Sequence, residues 1–313
     1  MLPWLASWPR RRRASSRAPV AHLRSLDLKG ALTALVLAVL WGGNPVAVKI
    51  GLLGAPPLRL AWMRFVLGGL TILAYAWYTR RQGVLTVKRG EWGVIWSLGL
   101  LFTVQIGLMN IGINLTTAAH GSVLINSYAI HTVVLAHFFI PGDRMTRAKL
   151  GGVAMAYGGV VLLFARDFSF QSGTLLGDLV VAASALLLGE RTVYMARAVQ
   201  RLDPVKLLLG QAAIGSACFF LTSLWWEAAI PTHYTLSLAT SLFYQGVIVA
   251  GFNFVVNAWL LQLYRPSALA ACALTSPIWG VLLSAAIAGD PLTPTLVLSS
   301  LMVAAGIGIA TWK

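Results

Sequence analysis

The feature that most constrains this chain is a recurrence: from Ala31 to Trp312, apolar runs of bilayer-crossing length follow one another with little between them. A helix needs about 20 predominantly apolar residues to cross the hydrocarbon. Ten such segments can be read, at 31–49, 57–78, 92–114, 118–139, 149–165, 175–197, 206–229, 237–262, 267–288 and 294–312. The connections are short and carry turn-forming residues: Gly54-Ala55-Pro56-Pro57, Pro141-Gly142-Asp143, Asp203-Pro204, Pro231 and Asp290-Pro291. None has the length and polarity of a soluble domain. Composition agrees, at 58% hydrophobic and 11% charged residues, where soluble domains are roughly 45–50% apolar and about 25% charged. The expected fold class is an all-α membrane protein with ten transmembrane helices.

A net charge of +15 would suggest nucleic acid as the partner of a soluble chain, but here position matters more than sum. Cytoplasmic loops of membrane proteins are enriched in Lys and Arg. With the N-terminus inside and strict alternation, the inner face collects Arg10 to Arg13, Arg17, Arg24, Lys29, Arg80, Arg81, Lys88, Arg89, Arg144, Arg147, Lys149, Arg197, Arg201, Lys206, Arg265 and Lys313. The outer face receives only Lys49, Arg59 and Arg166, and Arg64 and Arg191 fall within spans. The expectation is a multi-pass protein of the cell (inner) membrane with both termini cytoplasmic. Its basic side then faces cytosol and anionic headgroups, and nucleic acid is not an expected partner. The stretch WPRRRRASSRAPV mimics the start of a signal peptide, whose apolar region would run about 7–15 residues to a cleavage site. The run from Ala31 instead continues past Trp41 to Lys49, so residues 1–29 read as a basic cytoplasmic tail. Cys218 and Cys272 sit inside apolar runs, where a small hydrophobe is the expected role.

The chain also repeats. Residues 118–164 and 267–312 each form an apolar helix opening with small residues, then Gly-Asp, a Thr-containing turn and a Gly/Ala-rich helix. Asp143 and Asp290 mark the same point, 147 residues apart. That offset divides the chain into two five-span halves, 30–166 and 174–313. An odd number of spans per half makes the second insert upside down, and inverted repeats are a transporter architecture with the substrate site near the midplane.

The stretch WGGNPVAVKIGLLGAPPLRLAWMRFVLGGL resembles the opening of EamA-domain proteins of the drug/metabolite transporter superfamily. SPIWGVLLSAAIAGDPLT resembles their repeat-ending motif, and GTLLGDLVVAASALLLGERTVYMARAV the start of their second half. The resemblance covers about 30–313 and implies ten helices in two inverted repeats; members export amino acids, other metabolites and drugs, and some import vitamins or cofactors. The chain departs from the pattern at Ala129, where the second half has the motif's Pro277, and at Gly189-Glu190-Arg191, where an aromatic–small pair is common.

Ionisable and amide groups in hydrocarbon usually line a cavity or pair with one another. Lys49, at the end of the first span, is expected to snorkel. Arg64, about two turns inside the second, either reaches headgroups or faces a cavity, and the family resemblance favours the cavity. Pro45 frees a carbonyl one turn earlier, so a kink beside Asn44 suggests a cavity wall. Arg191 is expected to snorkel to the inner face; Glu190, deeper, either ties to Arg197 or binds a substrate amine or coupling proton, on one face with Tyr194. Thr103, Gly107, Asn110 and Asn114 share one face of the third segment. Tyr128 and His131 share a face of the fourth, and Asn253 and Asn257 lie on the eighth with Gly246. Interhelical hydrogen bonds explain any single Asn, and a lone His is commonly a neutral hydrogen-bonding residue; together these faces suggest a shared aqueous pocket. Glycine and alanine stripes in the fifth and tenth segments suit close packing within one chain or between two, which leaves a homodimer open.

The function expected is a secondary transporter, an exporter of amino acids or related small metabolites by alternating access, with no cofactor. Import of a vitamin or cofactor is the alternative within that class; an intramembrane lipid-modifying enzyme is the alternative outside it. No metal cluster, nucleophile–base pair or phosphate loop is legible in the sequence, so no catalytic activity is expected.

Overall fold

The computed structural model describes residues 27–79, 83–139, 145–165, 173–264, 269, 272–273 and 275–311. Most of the basic tail, Asp143 and Arg265 lie outside them. Every regular element among the described residues is helical. In order these are α1 (Leu28–Gly42), α2 (Asn44–Gly51), α3 (Pro57–Tyr78), α4 (Trp92–Leu115), α5 (Ala118–Asn126), α6 (Tyr128–Phe139), α7 (Arg147–Ala165), α8 (Leu175–Ala198), α9 (Pro204–Trp226) and α10 (Leu236–Leu242). A π-helical stretch Phe243–Asn253 then leads into α11 (Phe254–Leu263). Finally come α12 (Ser276–Leu283), a π-helical turn Ser284–Ala288 and α13 (Pro294–Thr311).

Helices begin where short connections supply caps. Asp27 accepts from Gly30 N at 2.7 Å and Thr117 from His120 N at 3.1 Å. Asp203 accepts from Val205 N at 2.8 Å, with Pro204 in the first turn. Each satisfies an amide that the first helical turn leaves without a partner. Among the described residues, seven helical runs are long and apolar enough to cross a membrane: Leu28–Gly51, Pro57–Tyr78, Trp92–Leu115, Ala118–Phe139, Leu175–Ala198, Pro204–Trp226 and Leu236–Leu260; Ser276–Ala288 and Pro294–Ile309 are shorter apolar helices. Their outward surfaces carry large hydrophobic side chains such as Leu70, Leu100, Leu221 and Phe252, as contact with lipid requires.

The first span is interrupted at Gly43, between α1 and α2 and just before Asn44-Pro45, where the proline lacks an N–H to donate back along the helix; Gly43 keeps right-handed helical dihedrals, so the run continues to Gly51. Side chains from the C-terminal part of the chain hold the main-chain carbonyls around the interruption. Asn253 Nδ2 donates to Leu37 O (2.9 Å), Ser276 Oγ to Ala38 O (2.9 Å), Tyr244 Oη to Leu40 O (2.8 Å) and Ser241 Oγ to Ala47 O (2.7 Å). Interruptions of helical bonding at membrane depth are tolerated where protein satisfies the backbone.

Packing is reciprocal. α3 lies along α9; α3 also meets the stretch Phe243–Asn253 while α4 meets α9; α6 packs on α8 while α1 packs on α12; and α7 lies along α13. The glycine/alanine stripes serve that last pair within the chain: a Cβ on Gly306 would come 2.5 Å from Ala156 N and 2.6 Å from Gly152 O. At the centre Phe65 meets Phe102 edge-on with centroids 4.6 Å apart and stacks on Phe219 at 6.4 Å.

Candidate functional site: a cavity beside Arg191

A cavity of about 150 Å³ opens among α1, α6, α8, α9, α11 and the segment around Ser276. Its apolar wall includes Leu37, Trp41, Leu188, Met195, Leu208 and Phe254; its polar groups are Tyr128, Arg191, Thr192, Gln211, Asn253, Asn257 and Ser276. No Asp or Glu lines it among the described residues. The wall comes from stretches that all lie toward the helix ends carrying Leu28, Ala198, Pro204 and Tyr264, so the cavity belongs to that half of the bundle.

Three of the ten residues expected at a pocket are brought together on it: Tyr128, Asn253 and Asn257. Asn253 is also a strut, since its amide holds Leu37 O. Arg64 is 1% exposed and is not among the residues that line the cavity. Its guanidinium lies 4.4 Å from the Phe65 ring centroid and donates to Gln245 Oε1 at 3.0 Å, so of the two sequence readings snorkelling is excluded. Asn44 and Asn110 are buried; Asn110 Nδ2 donates to Pro57 O at 3.0 Å, and the side-chain oxygens of both find no partner among the described residues. Asn114, in the last turn of α4, is exposed, and none of the residues on that face of the third segment lines the cavity. Tyr157 Oη lies 2.6 Å from His131 Nδ1, which turns this histidine toward α7. Tyr194 is enclosed with Ile95, Leu98 and Leu207, and Glu190 is buried on α8.

Two expectations are overturned. Arg191 does not snorkel. It is 8% exposed, lines the cavity and holds its guanidinium 4.9 Å from the Phe102 centroid and 6.0 Å from that of Phe254. It lies seven residues from the end of α8, about 10 Å at 1.5 Å per residue, with its guanidinium held over these rings rather than extended to the interface. Its Nη1 is buried without a partner among the described residues. Lys49 does not snorkel either. Its Nζ donates to the carbonyls of Ile113 (3.0 Å), Asn114 (3.3 Å) and Thr116 (2.5 Å), closing the C-terminal end of α4, where helical carbonyls lack internal partners. Gln211 and Trp41 were not anticipated on the cavity; the only prior signal for Gln211 was an amide in an otherwise apolar helix.

Around Lys49 the bundle is shut by polar contacts. Thr116 Oγ1 donates to Asp178, whose Oδ2 lies 2.9 Å from His120 Nδ1. Asp290 accepts from Ala119 N at 2.8 Å and from Ser284 Oγ. Lys49→Met is expected to lower the unfolding midpoint of the detergent-purified protein by the equivalent of about 1–2 kcal/mol, since carbonyls partly reached by water lose a charged donor. An unchanged midpoint would show that water replaces the ammonium fully.

Multi-pass helical packing around a polar-lined central cavity defines a membrane protein of the transporter kind. The profile of the EamA-like transporter family matches the chain twice, over residues 28–165 and 175–312; the chain belongs to that family. It is similar to the "Probable amino-acid metabolite efflux pump" of Salmonella typhimurium (28% identical over 298 residues, 91% of this chain and 95% of that one). It is also similar to the protein of the same description in Escherichia coli strain K12 (26% over 292 residues, 91% and 95%). A third relative, the "Uncharacterized transporter YoaV" of Bacillus subtilis, is 22% identical over 286 residues, 91% of this chain and 97% of that one. A solved crystal structure shares the fold with a TM-score of 0.68 at 21% identity, covering 90% of this chain and 97% of the other.

Proposed function

We propose that this protein exports amino acids or related small metabolites across the cell membrane by alternating access between two inverted five-helix halves, 30–166 and 174–313. The observation that carries the reading is the cavity: walls from both halves surround it, polar groups converge on it, and the bundle is tied shut around Lys49. Reciprocal packing supports the inversion. Exchange each helix for the one at the corresponding place in the other half, and α3 against Phe243–Asn253 becomes α9 against α4, while α6 against α8 becomes α12 against α1. The relatives described as amino-acid metabolite efflux pumps support the substrate class and the direction. With ten spans and both termini cytoplasmic, the cavity is on the inner side, where an exporter loads, and the basic loops face anionic headgroups. Tyr128, Asn253 and Asn257, with Arg191 and Gln211, touch the substrate in this inward-open state; Asn44, Arg64 and Asn110 are reached as the halves rock. The carboxylate of Glu190 takes the coupling proton.

Inverted membrane vesicles test it. Vesicles holding the protein are expected to accumulate labelled amino acids from a panel faster than empty-vector vesicles, and Glu190→Gln is expected to flatten the pH dependence of that uptake. Equal accumulation across a broad panel of amino acids and related metabolites counts against the reading.

A further inference from the structure

The Arg191 guanidinium lies over the Phe102 ring, 4.9 Å from its centroid, a contact with the ring face that uses none of its N–H donors. Its Nη1 has no partner among the described residues although the side chain is more than nine-tenths buried. A second guanidinium, that of Arg64, lies across the Phe65–Phe102 pair, close enough for the two charges to repel. No acidic residue lines the cavity among the described residues to neutralise them. The neighbouring Glu190 is one residue away on the same helix, and adjacent helical positions do not face each other. A buried guanidinium with an unpartnered N–H group suits a planar carboxylate, and a buried charge whose hydrogen bonding is incomplete is unfavourable until an anion reaches it. Beside neutral polar groups such as Gln211 and Asn257, the wall offers an aromatic and aliphatic surface, with the Trp41 and Phe254 ring centroids 5.7 Å apart. A volume of about 150 Å³ is the size of an apolar cavity that accommodates benzene.

We propose that the cavity grips its substrate by a carboxylate, on Arg191, with an apolar body no larger than about a benzene ring lying against Trp41 and Phe254, and that a substrate amine is not required. The proposal rests on the transporter reading and narrows it: the substrates include simple organic acids, and the amino acids among them are recognised by their acid end.

Isothermal titration of the full chain in detergent with three compounds on one skeleton tests this: 4-methylpentanoate (acid only), leucine (acid and amine) and 3-methylbutylamine (amine only). The acid is expected to bind within about tenfold of leucine, and the amine at least about tenfold more weakly than either. Arg191→Gln is expected to weaken the acid by roughly 10–100-fold, the range of a charged hydrogen-bonded contact, and Arg191→Lys, which keeps charge without the fork, by less. The comparison of three compounds on the unaltered chain needs no variant to fold. An amine that binds as well as the acid overturns the proposal. So does a folded Arg191→Gln protein with undiminished affinity for the acid, or no binding of either acid at millimolar concentration. Export of amino acids by vesicles without acid-only binding would sink this proposal and leave the transporter reading standing; acid binding without export would do the reverse.

Discussion

Gly280→Val is expected to cut the yield of folded protein and lower its unfolding midpoint in detergent, by the equivalent of about 1–3 kcal/mol. α1 and α12 cross at Gly42 and Gly280. A Cβ on Gly280 would come 2.5 Å from Ser122 Cβ, 2.7 Å from Ser122 Oγ and 3.0 Å from Gly42 O. None of these can give way easily. Gly42 O is main chain, and the contact with Ser122 is at the root of its side chain. α5 itself is pinned by Asp290 at Ala119 N. One turn before Gly280, Ser276 both lines the cavity and holds Ala38 O, so forcing the crossing apart also disturbs the site. Gly151→Ala is the control, since nothing lies within 4 Å of a Cβ built there, and it is expected to be close to neutral. Equal midpoints for the two variants would mean the crossing is looser than the geometry states.

Glu227→Ala is the second large effect. α3 begins at Pro57, capped by Pro56 without a side-chain bond, and the amides of its first turn need an acceptor. Glu227, just past the end of α9, supplies one with both oxygens: Leu58 N and Arg59 N each donate at 2.8 Å. A carboxylate is also favoured there by the helix dipole. Arg59 completes the clasp, donating to Glu227 O at 2.7 Å, Ile230 O at 2.6 Å and Thr232 Oγ1 at 2.8 Å. Removing the carboxylate is expected to destabilise the protein by about 2–3 kcal/mol, measured by thermal unfolding in detergent, with Glu227→Gln showing only part of that loss because one acceptor remains. A Glu227→Ala midpoint matching that of the unaltered chain would show the clasp to be idle.

Helix placement was legible because local signals agree with the membrane requirement. The segment read at 57–78 is Pro57–Tyr78 in the structure, bounded by prolines at one end and a polar turn at the other. The segment read at 237–262 corresponds to α10, the π-helical stretch and α11, but the π-helical stretch was not legible. Such widening responds to neighbours, here α3 packed along it, and leaves no pattern in its own residues. The site was legible by residue type and not by partner. Arg191 looked like a snorkelling residue because its distance from the helix end is local, whereas Phe102 and Phe254, which hold it, come from distant parts of the chain. Lys49 was misread for the same reason: a basic residue near one helix end was visible, and the uncapped end of α4 that uses it was 64 or more residues away. Asn44 and Asn110 are buried, but nothing in the sequence tells that Asn110 and Asn253 brace carbonyls of other helices or that the side-chain oxygens of Asn44 and Asn110 find no partner among the described residues.

The struts that fasten α1 end on its main-chain oxygens, at Leu37, Ala38 and Leu40. A backbone carbonyl cannot be mutated away, so half of each of these bonds is indifferent to what α1 encodes. The side chains of the same helix, Ala34, Leu37, Ala38 and Trp41, face the cavity. Descendants of this gene can therefore resculpt the chamber through α1, and acquire a different cargo, without first relearning how to close the bundle.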